Sequence, residues 1–200
     1  MKLRPDQLVL ASRSPRRRLL LREVGIDARV IDPNLDDGLI PTPTSIAPDE
    51  WVAALAYLKA RAGADQLPPN SLVLGADTVV VKAGQIIGQP RDEQHARDII
   101  HALRNTDHEV VTGVAILNAD RRFIFSDTAH VIVGDITNES IESYLATGAW
   151  RGKAGAYNLA ERQEAGWPIE VTGDPTTVMG LPMNRLREIF EFKPIEPIAS

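Results

Sequence analysis

The 200-residue chain has no cysteine, which excludes disulfide staples, Cys-ligated zinc, iron–sulfur clusters and thiol nucleophiles. Nowhere do 18 apolar residues run together, so no membrane-spanning helix is expected. The apolar run Leu8–Ala11 stops at Ser12-Arg13, too short for the core of a secretion signal, and the cytosol is the expected setting. Positive charge is also short. With 22 basic against 27 acidic residues the net charge is −5, which argues against a general nucleic-acid binder and favours small substrates or proteins as partners. The chain contains no Gly-x-x-x-x-Gly-Lys-[Ser/Thr] loop, no Gly-x-Ser-x-Gly elbow and no His-Glu-x-x-His helix, so the common nucleotide, esterase and zinc motifs are out. Two of the four histidines, His95 and His101, share a predicted helix six residues apart on different faces, and cannot grip a metal together. All four are read as structural or surface residues.

At 21.9 kDa and 44% apolar residues the chain can bury roughly 70% of its unfolded surface in a single unit. Leu8–Ala11 reads as a strand, followed by a helix starting at Pro15 with Ser14 as cap and ended by Gly25. Arg29–Asp32 reads as a second strand, and Pro33–Pro48 as a loop without apolar period. Trp51, Leu55, Leu58 and Ala62 fall on one face of a helix over about 49–64. Leu72–Val81 is apolar on both sides of a lone Asp77, as a central strand requires. A further helix carries Ala96, Ile99, Ile100 and Leu103, with Glu93 supporting Arg97 four residues on. His108–Leu117 and Arg122–Val133 form a hairpin pattern. A short helix around Ile141–Leu145 closes at Gly148, Ile169–Val171 reads as a strand, and a last helix spans about 182–192. This order predicts one α/β unit with a mixed sheet, helices on its faces and a cleft between two lobes.

Three places could carry chemistry. In Ser12-Arg13-Ser14-Pro15-Arg16-Arg17 a strand runs into a helix N-terminus that carries hydroxyls and guanidiniums, a pattern suited to phosphate. The alternative is an ordinary helix cap beside solvated arginines. Cations in a first turn oppose the helix dipole by about 0.3–1 kcal/mol each, a cost that an anion would remove. Asp77 inside a two-sided apolar strand needs a cation or a cleft, or else backbone amides that satisfy it. Lys153 stands among glycines where backbone can approach a ligand, although a glycine hinge with a surface lysine fits as well. Asp36, Asp37 and Lys59 could add a metal-binding carboxylate and a phosphate-binding ammonium, but each by itself reads as surface.

Taken together, Ala11-Ser12-x-Ser14-Pro15-Arg16-Arg17, Gly75-Ala76-Asp77-Thr78-Val79-Val80, His108-Glu109-Val110-Val111-Thr112-Gly113, Lys153-Ala154-Gly155-Ala156-Tyr157 and Gly180-Leu181-Pro182 resemble the Maf-like proteins in order and spacing over nearly the whole chain. The resemblance implies a twisted α/β fold with a central cleft, a nucleoside triphosphate pyrophosphatase, a divalent metal (Mg²⁺ or Mn²⁺) and a homodimer. Position by position it implies that Ser12, Arg16, Arg17, Lys59 and Lys153 meet the triphosphate. Asp77 would be the proton acceptor and, with Asp37, the metal ligand. Asp37 stands where the family usually has Glu, and Gln89 where it usually has Lys, which removes one phosphate-facing charge. Arg16 and Thr78 look like the branch that hydrolyses dTTP and UTP. Ala160 replaces that branch's polar residue, leaving Glu161 as the nearest candidate to contact the base, while Gly173–Thr177 looks closer to the branch that prefers 7-methyl-GTP. A nucleotide-binding regulator with little turnover and a protein-interaction domain are the rival readings.

Overall fold

The computed structural model describes residue 3, residues 7–35, residue 40 and residues 45–190 of the chain. The metal-ligand candidates Asp36 and Asp37, much of the loop expected over 33–48 and the tail beyond 190 lie outside these residues.

Seven strands form one mixed sheet: β1 (Leu8–Ala11), β2 (Arg29–Ile31), β3 (Leu72–Lys82), β4 (Gln85–Ile87), β5 (Thr106–Leu117), β6 (Arg122–Val133) and β7 (Ile169–Thr172). Their order is β2-β1-β3-β5-β6-β7, with β4 paired to the far end of β3. β1 runs parallel to β2 and β3, and the β3, β5, β6 and β7 pairings are antiparallel. The predicted single α/β unit with a mixed sheet is therefore the fold observed.

Among the described residues one face of the sheet is covered by a single helix, α2 (Pro48–Ala64). It buries Val52, Leu55, Ala56, Ala60 and Gly63, whereas Leu58 is 40% exposed, so the face predicted from Trp51, Leu55, Leu58 and Ala62 is rotated. The reason is distance. A Cβ on Gly75 would lie 2.5 Å from the Ala56 carbonyl oxygen, and one on Gly113 would lie 2.3 Å from the Val52 carbonyl. Backbones this close admit only small side chains between them.

The opposite face carries two separate helical groups. Toward the β1 end, α1 (Pro15–Glu23) and α7 (Met183–Ile189) bury Leu20, Leu21 and Leu186 against Leu10, Leu74, Ala76, Val114 and Ile116. Toward the other end, α3 (Glu93–Leu103), α4 (Asn138–Ala146), the turn after it and the 3₁₀ turn Ala154–Ala156 pack Ile100, Leu103, Tyr144, Trp150 and Ala156 over Val80, Val110 and Val131. Side chains on one face recur every second residue, so the face passes from Ala76 through Thr78 to Val80 on β3. On β5 it passes from Val114 through Thr112 to Val110. In register beside Thr112 stands Asp127 of β6. A polar row, Thr78, Thr112 and Asp127, thus divides two apolar cores, and this is the sequence-level cause of the two lobes.

Two helices were not predicted: α5 (Leu159–Glu164) and α6 (Pro175–Met179). Both were marked by their caps. Asn158 and Asp174 accept from the first-turn amides, Pro175 occupies the first turn of α6, and Gly180 ends it at φ 107°. The last helix stops at Ile189, because Phe190 turns extended and bridges to Leu3.

Candidate active site

The edge of β3 explains where the site opens. β1 covers Leu72–Gly75 of that edge and β4 covers Val80–Lys82, so among the described residues no strand pairs with Ala76–Val79 on that side. Ser12–Arg17 turn away there into α1, and a cleft of about 580 Å³ opens between the lobes. Its lining includes Ser12, Arg16, Arg17, Lys59, Asp77, Thr78, Lys153 and Glu161. All the described residues singled out as substrate or catalytic candidates therefore meet in one place.

Asp77 and Thr78, being adjacent in a regular strand, point to opposite faces. Asp77 is 7% exposed, and Lys59, reaching in from α2, places Nζ 2.5 Å from its Oδ1. A buried carboxylate held by a partly buried ammonium avoids the desolvation penalty of a lone charge. Lys59 thus acts first on Asp77, a partnership that neither residue type announced in the sequence.

On the other face Arg17 is built into the wall. Its Nε donates to the Gly180 carbonyl (2.8 Å), Nη1 to Ser12 Oγ (3.2 Å) and Nη2 to Thr78 Oγ1 (3.0 Å). Thr112 Oγ1 donates to the Thr177 carbonyl at 2.8 Å, so in the 2.9 Å contact between the two threonine hydroxyls Thr78 is the donor. Thr177 Oγ1 in turn donates to Asp127 Oδ2 at 2.5 Å. Gly180 is required at this corner, since a Cβ would lie 3.1 Å from Arg17 Nε and its φ is left-handed.

Ser14 occupies the cap position of α1 without making a side-chain cap bond, contrary to expectation. Its own amide donates to Ser12 Oγ at 3.2 Å. With no side-chain cap on its first turn, the α1 N-terminus borders the cleft, as an anion site would. Arg16 lines the cleft, and its buried Nε has no hydrogen-bond partner among the described residues.

From the other lobe, Lys153 Nζ pairs with Glu161 Oε2 at 2.8 Å, and Asn158 Nδ2 donates to Glu161 Oε1 at 3.0 Å. Arg13, Gln89 and Arg151 also line the cleft. Arg13 belongs to the basic helix-start pattern of the sequence, whereas Arg151, an exposed arginine outside any periodic pattern, carries no signal there.

Residues 7–192 match the family model described as Maf-like protein. The chain belongs to the Maf-like family. A relative from Geobacillus sp. (strain WCH70) is 40% identical over 184 residues, covering 92% of this chain and 96% of its own length. One from Alkaliphilus metalliredigens is 38% identical over 186 residues, with coverage of 92% and 94%. One from Salinibacter ruber is 39% identical over 182 residues, with coverage of 90% and 87%. All three carry the name dTTP/UTP pyrophosphatase.

Within this Maf-like chain His108 belongs to the core behind the cleft. It is 2% exposed, its Nε2 lies 3.1 Å from the Tyr157 hydroxyl, and its buried Nδ1 has no partner among the described residues. Burial, aided by Lys82, pushes its pKa down to about 4 from 6.5, so the ring is neutral. The unfolded chain therefore binds one more proton than the native state between those values. Stability is retained above about pH 6.5 and falls as pH drops toward 4, by on the order of 3 kcal/mol from this residue. Urea unfolding at pH 7 and pH 4.5 checks this: His108→Leu should flatten the slope relative to the parent, and an unchanged slope would assign the loss elsewhere.

Proposed function

We propose that the chain is a nucleoside triphosphate pyrophosphatase that cleaves between the α- and β-phosphates, yields a nucleoside monophosphate and pyrophosphate, and prefers dTTP and UTP. The observation that carries this reading is one buried carboxylate, Asp77, positioned by Lys59 on a cleft whose other walls are cationic and formed partly by a helix N-terminus. Phosphoryl chemistry asks chiefly for positioning and charge neutralisation, and that combination supplies both. The relatives' names support the base preference.

In this mechanism the α1 N-terminus and Arg16 receive phosphate oxygens, and Arg17 holds Ser12, Thr78 and Gly180 in place. Asp77 accepts the proton of the attacking water, which adds to phosphorus as pyrophosphate leaves. Lys59 fixes the orientation of that carboxylate. Lys153 neutralises the tail after exchanging Glu161 for phosphate.

A divalent cation fits this site as a partner of substrate. Among the described residues no cluster of three His, Asp or Glu side chains forms a cage. A hard cation such as Mg²⁺ takes one or two carboxylates and fills its remaining positions with phosphate oxygens and water. Asp77 would hold it, and Mg²⁺ or Mn²⁺ would neutralise charge on the phosphates. A homodimer in a cytosolic setting completes the proposal, and light scattering tests the dimer.

Pyrophosphate release measured over canonical and modified triphosphates, with Mg²⁺ and with Mn²⁺, tests the activity. The highest kcat/KM is expected with dTTP and UTP. Tight nucleotide binding without release would mark a regulator, and faster cleavage of 7-methyl-GTP would overturn the pyrimidine preference. Glu161 supplies a second check, because a carboxylate accepts from the pyrimidine N3–H. Glu161→Ala should lower kcat/KM for dTTP by roughly 5–150-fold, the loss of one satisfied polar contact, and affect other bases less. An equal fall for every base would assign Glu161 to holding Lys153.

A further inference from the structure

The charges in the cleft do not contribute equally. Lys59 and Lys153 each face a carboxylate of the same cleft, Asp77 at 2.5 Å and Glu161 at 2.8 Å. Arg17 spends its donors on Ser12, Thr78 and the Gly180 carbonyl. Of the two cations that line the cleft from the lobe opposite α1, Arg151 and Lys153, Arg151 has no acidic partner among the described residues. Its placement is built. The guanidinium carbon lies 4.6 Å over the Trp150 ring, and Nη1 reaches the Gly148 carbonyl at 3.4 Å. Gly148 itself sits at φ 69°, a conformation that favours glycine, and a Cβ there would come within 2.1 Å of that same Nη1, so a side chain at 148 would displace the guanidinium. An arginine stacked and seated in this way has given up rotamer freedom before any ligand arrives.

We propose that Arg151 is a substrate-binding residue that grips the triphosphate tail from the second lobe, facing Arg16 across the cleft. The inference rests on the nucleoside triphosphate reading and adds a contact that the sequence motifs do not include. Two parallel N–H donors of a guanidinium match phosphate oxygens. Stacking on Trp150 and the bond to the Gly148 carbonyl hold the side chain at the cleft wall, which lowers the entropic cost of engaging phosphate. Gln89 shares the wall: the residue before it, Gly88, accepts from the Gly155 amide at 3.4 Å, which ties that strand end to the segment carrying Arg151 and Lys153. A cation placed at position 89 would therefore serve the same phosphates.

Calorimetric titration with α,β-imido dUTP in Mg²⁺ buffer reads binding separately from turnover. Arg151→Gln should weaken Kd by about 10-fold, the worth of one charge-assisted contact, and raise KM for every triphosphate alike, with kcat within twofold and an unchanged melting temperature. Gln89→Lys should then tighten the R151Q protein at least threefold more than it tightens the parent. An unchanged Kd in R151Q, a loss confined to kcat, or an equal gain from Gln89→Lys in both backgrounds would overturn the assignment. If the parent binds the analogue but releases no pyrophosphate from any triphosphate, the pyrophosphatase reading fails while Arg151 is still judged by Kd. If the parent does not bind it, both fall.

Discussion

Asp77→Asn should reduce kcat for pyrophosphate release by at least about 10²-fold, the general-base contribution, and leave the fold intact. The substitution keeps the volume of a residue that is 7% exposed and sits in register opposite Gly113 in the middle of the sheet. It removes the negative charge that holds Lys59 at 2.5 Å and that would take the water's proton. Asparagine can still accept from the ammonium, so the strand should survive better than with alanine, which offers Lys59 no acceptor at this position. KM should move less than kcat, since the phosphates are gripped by other groups. Wild-type turnover in D77N, with the protein folded by circular dichroism, would remove Asp77 from the chemistry.

Gly113→Ala should cost about 2–3 kcal/mol, the penalty for overpacking against atoms that cannot move aside. The new methyl would fall 2.3 Å from the carbonyl of Val52 and 2.5 Å from the Ala53 amide. Both are helix backbone, so α2 must lift from the sheet as a unit. For a chain of this size that energy lowers Tm by roughly 4–12 °C. Because Lys59 sits on the same helix, a displaced α2 should also weaken catalysis in protein that remains folded. A melting temperature equal to the parent's would mean that the helix and sheet are not in the close contact described.

The same close contact sets the limit of what the sequence reveals. Helix α3 was legible because its burial is periodic and bulky, and Ala96, Ile99, Ile100 and Leu103 are all buried as predicted, with Arg97 paired to Glu93 at 3.2 Å. Strand β3 was legible because both its faces are covered. The inward face of α2 was misread because the ranking of side chains by size selects Trp51 and Leu58. The sheet, with glycine at 75 and 113, selects the smallest. Information about that face resides in two glycines far away in sequence, which no local period can report. Within the site, the motif residues were visible singly, as a buried Asp in an apolar strand or arginines at a helix start. Their pairings were invisible: Lys59 with Asp77 spans 18 residues, and Arg17 with Gly180 spans 163. Only the fold brings such groups together, so Lys59 read as a phosphate ligand and proved to be first the partner of the carboxylate.

The row of hydroxyls on the cleft floor has a consequence for solvation. Because Thr112 gives its proton to the Thr177 carbonyl and Thr78 gives its own to Thr112, the donor of each hydroxyl is already used within the protein. The Thr78 oxygen is thereby left to accept from Arg17. The guanidinium is surrounded by fixed oxygens of Ser12, Thr78 and Gly180 that play the part of a hydration shell but cannot reorient. Water around a cation must turn when an anion approaches, and that rotation costs free energy; a frozen shell has none left to perform. The positive field at the α1 end of the cleft is thus set when the chain folds, and it is the same before and after a charged ligand enters.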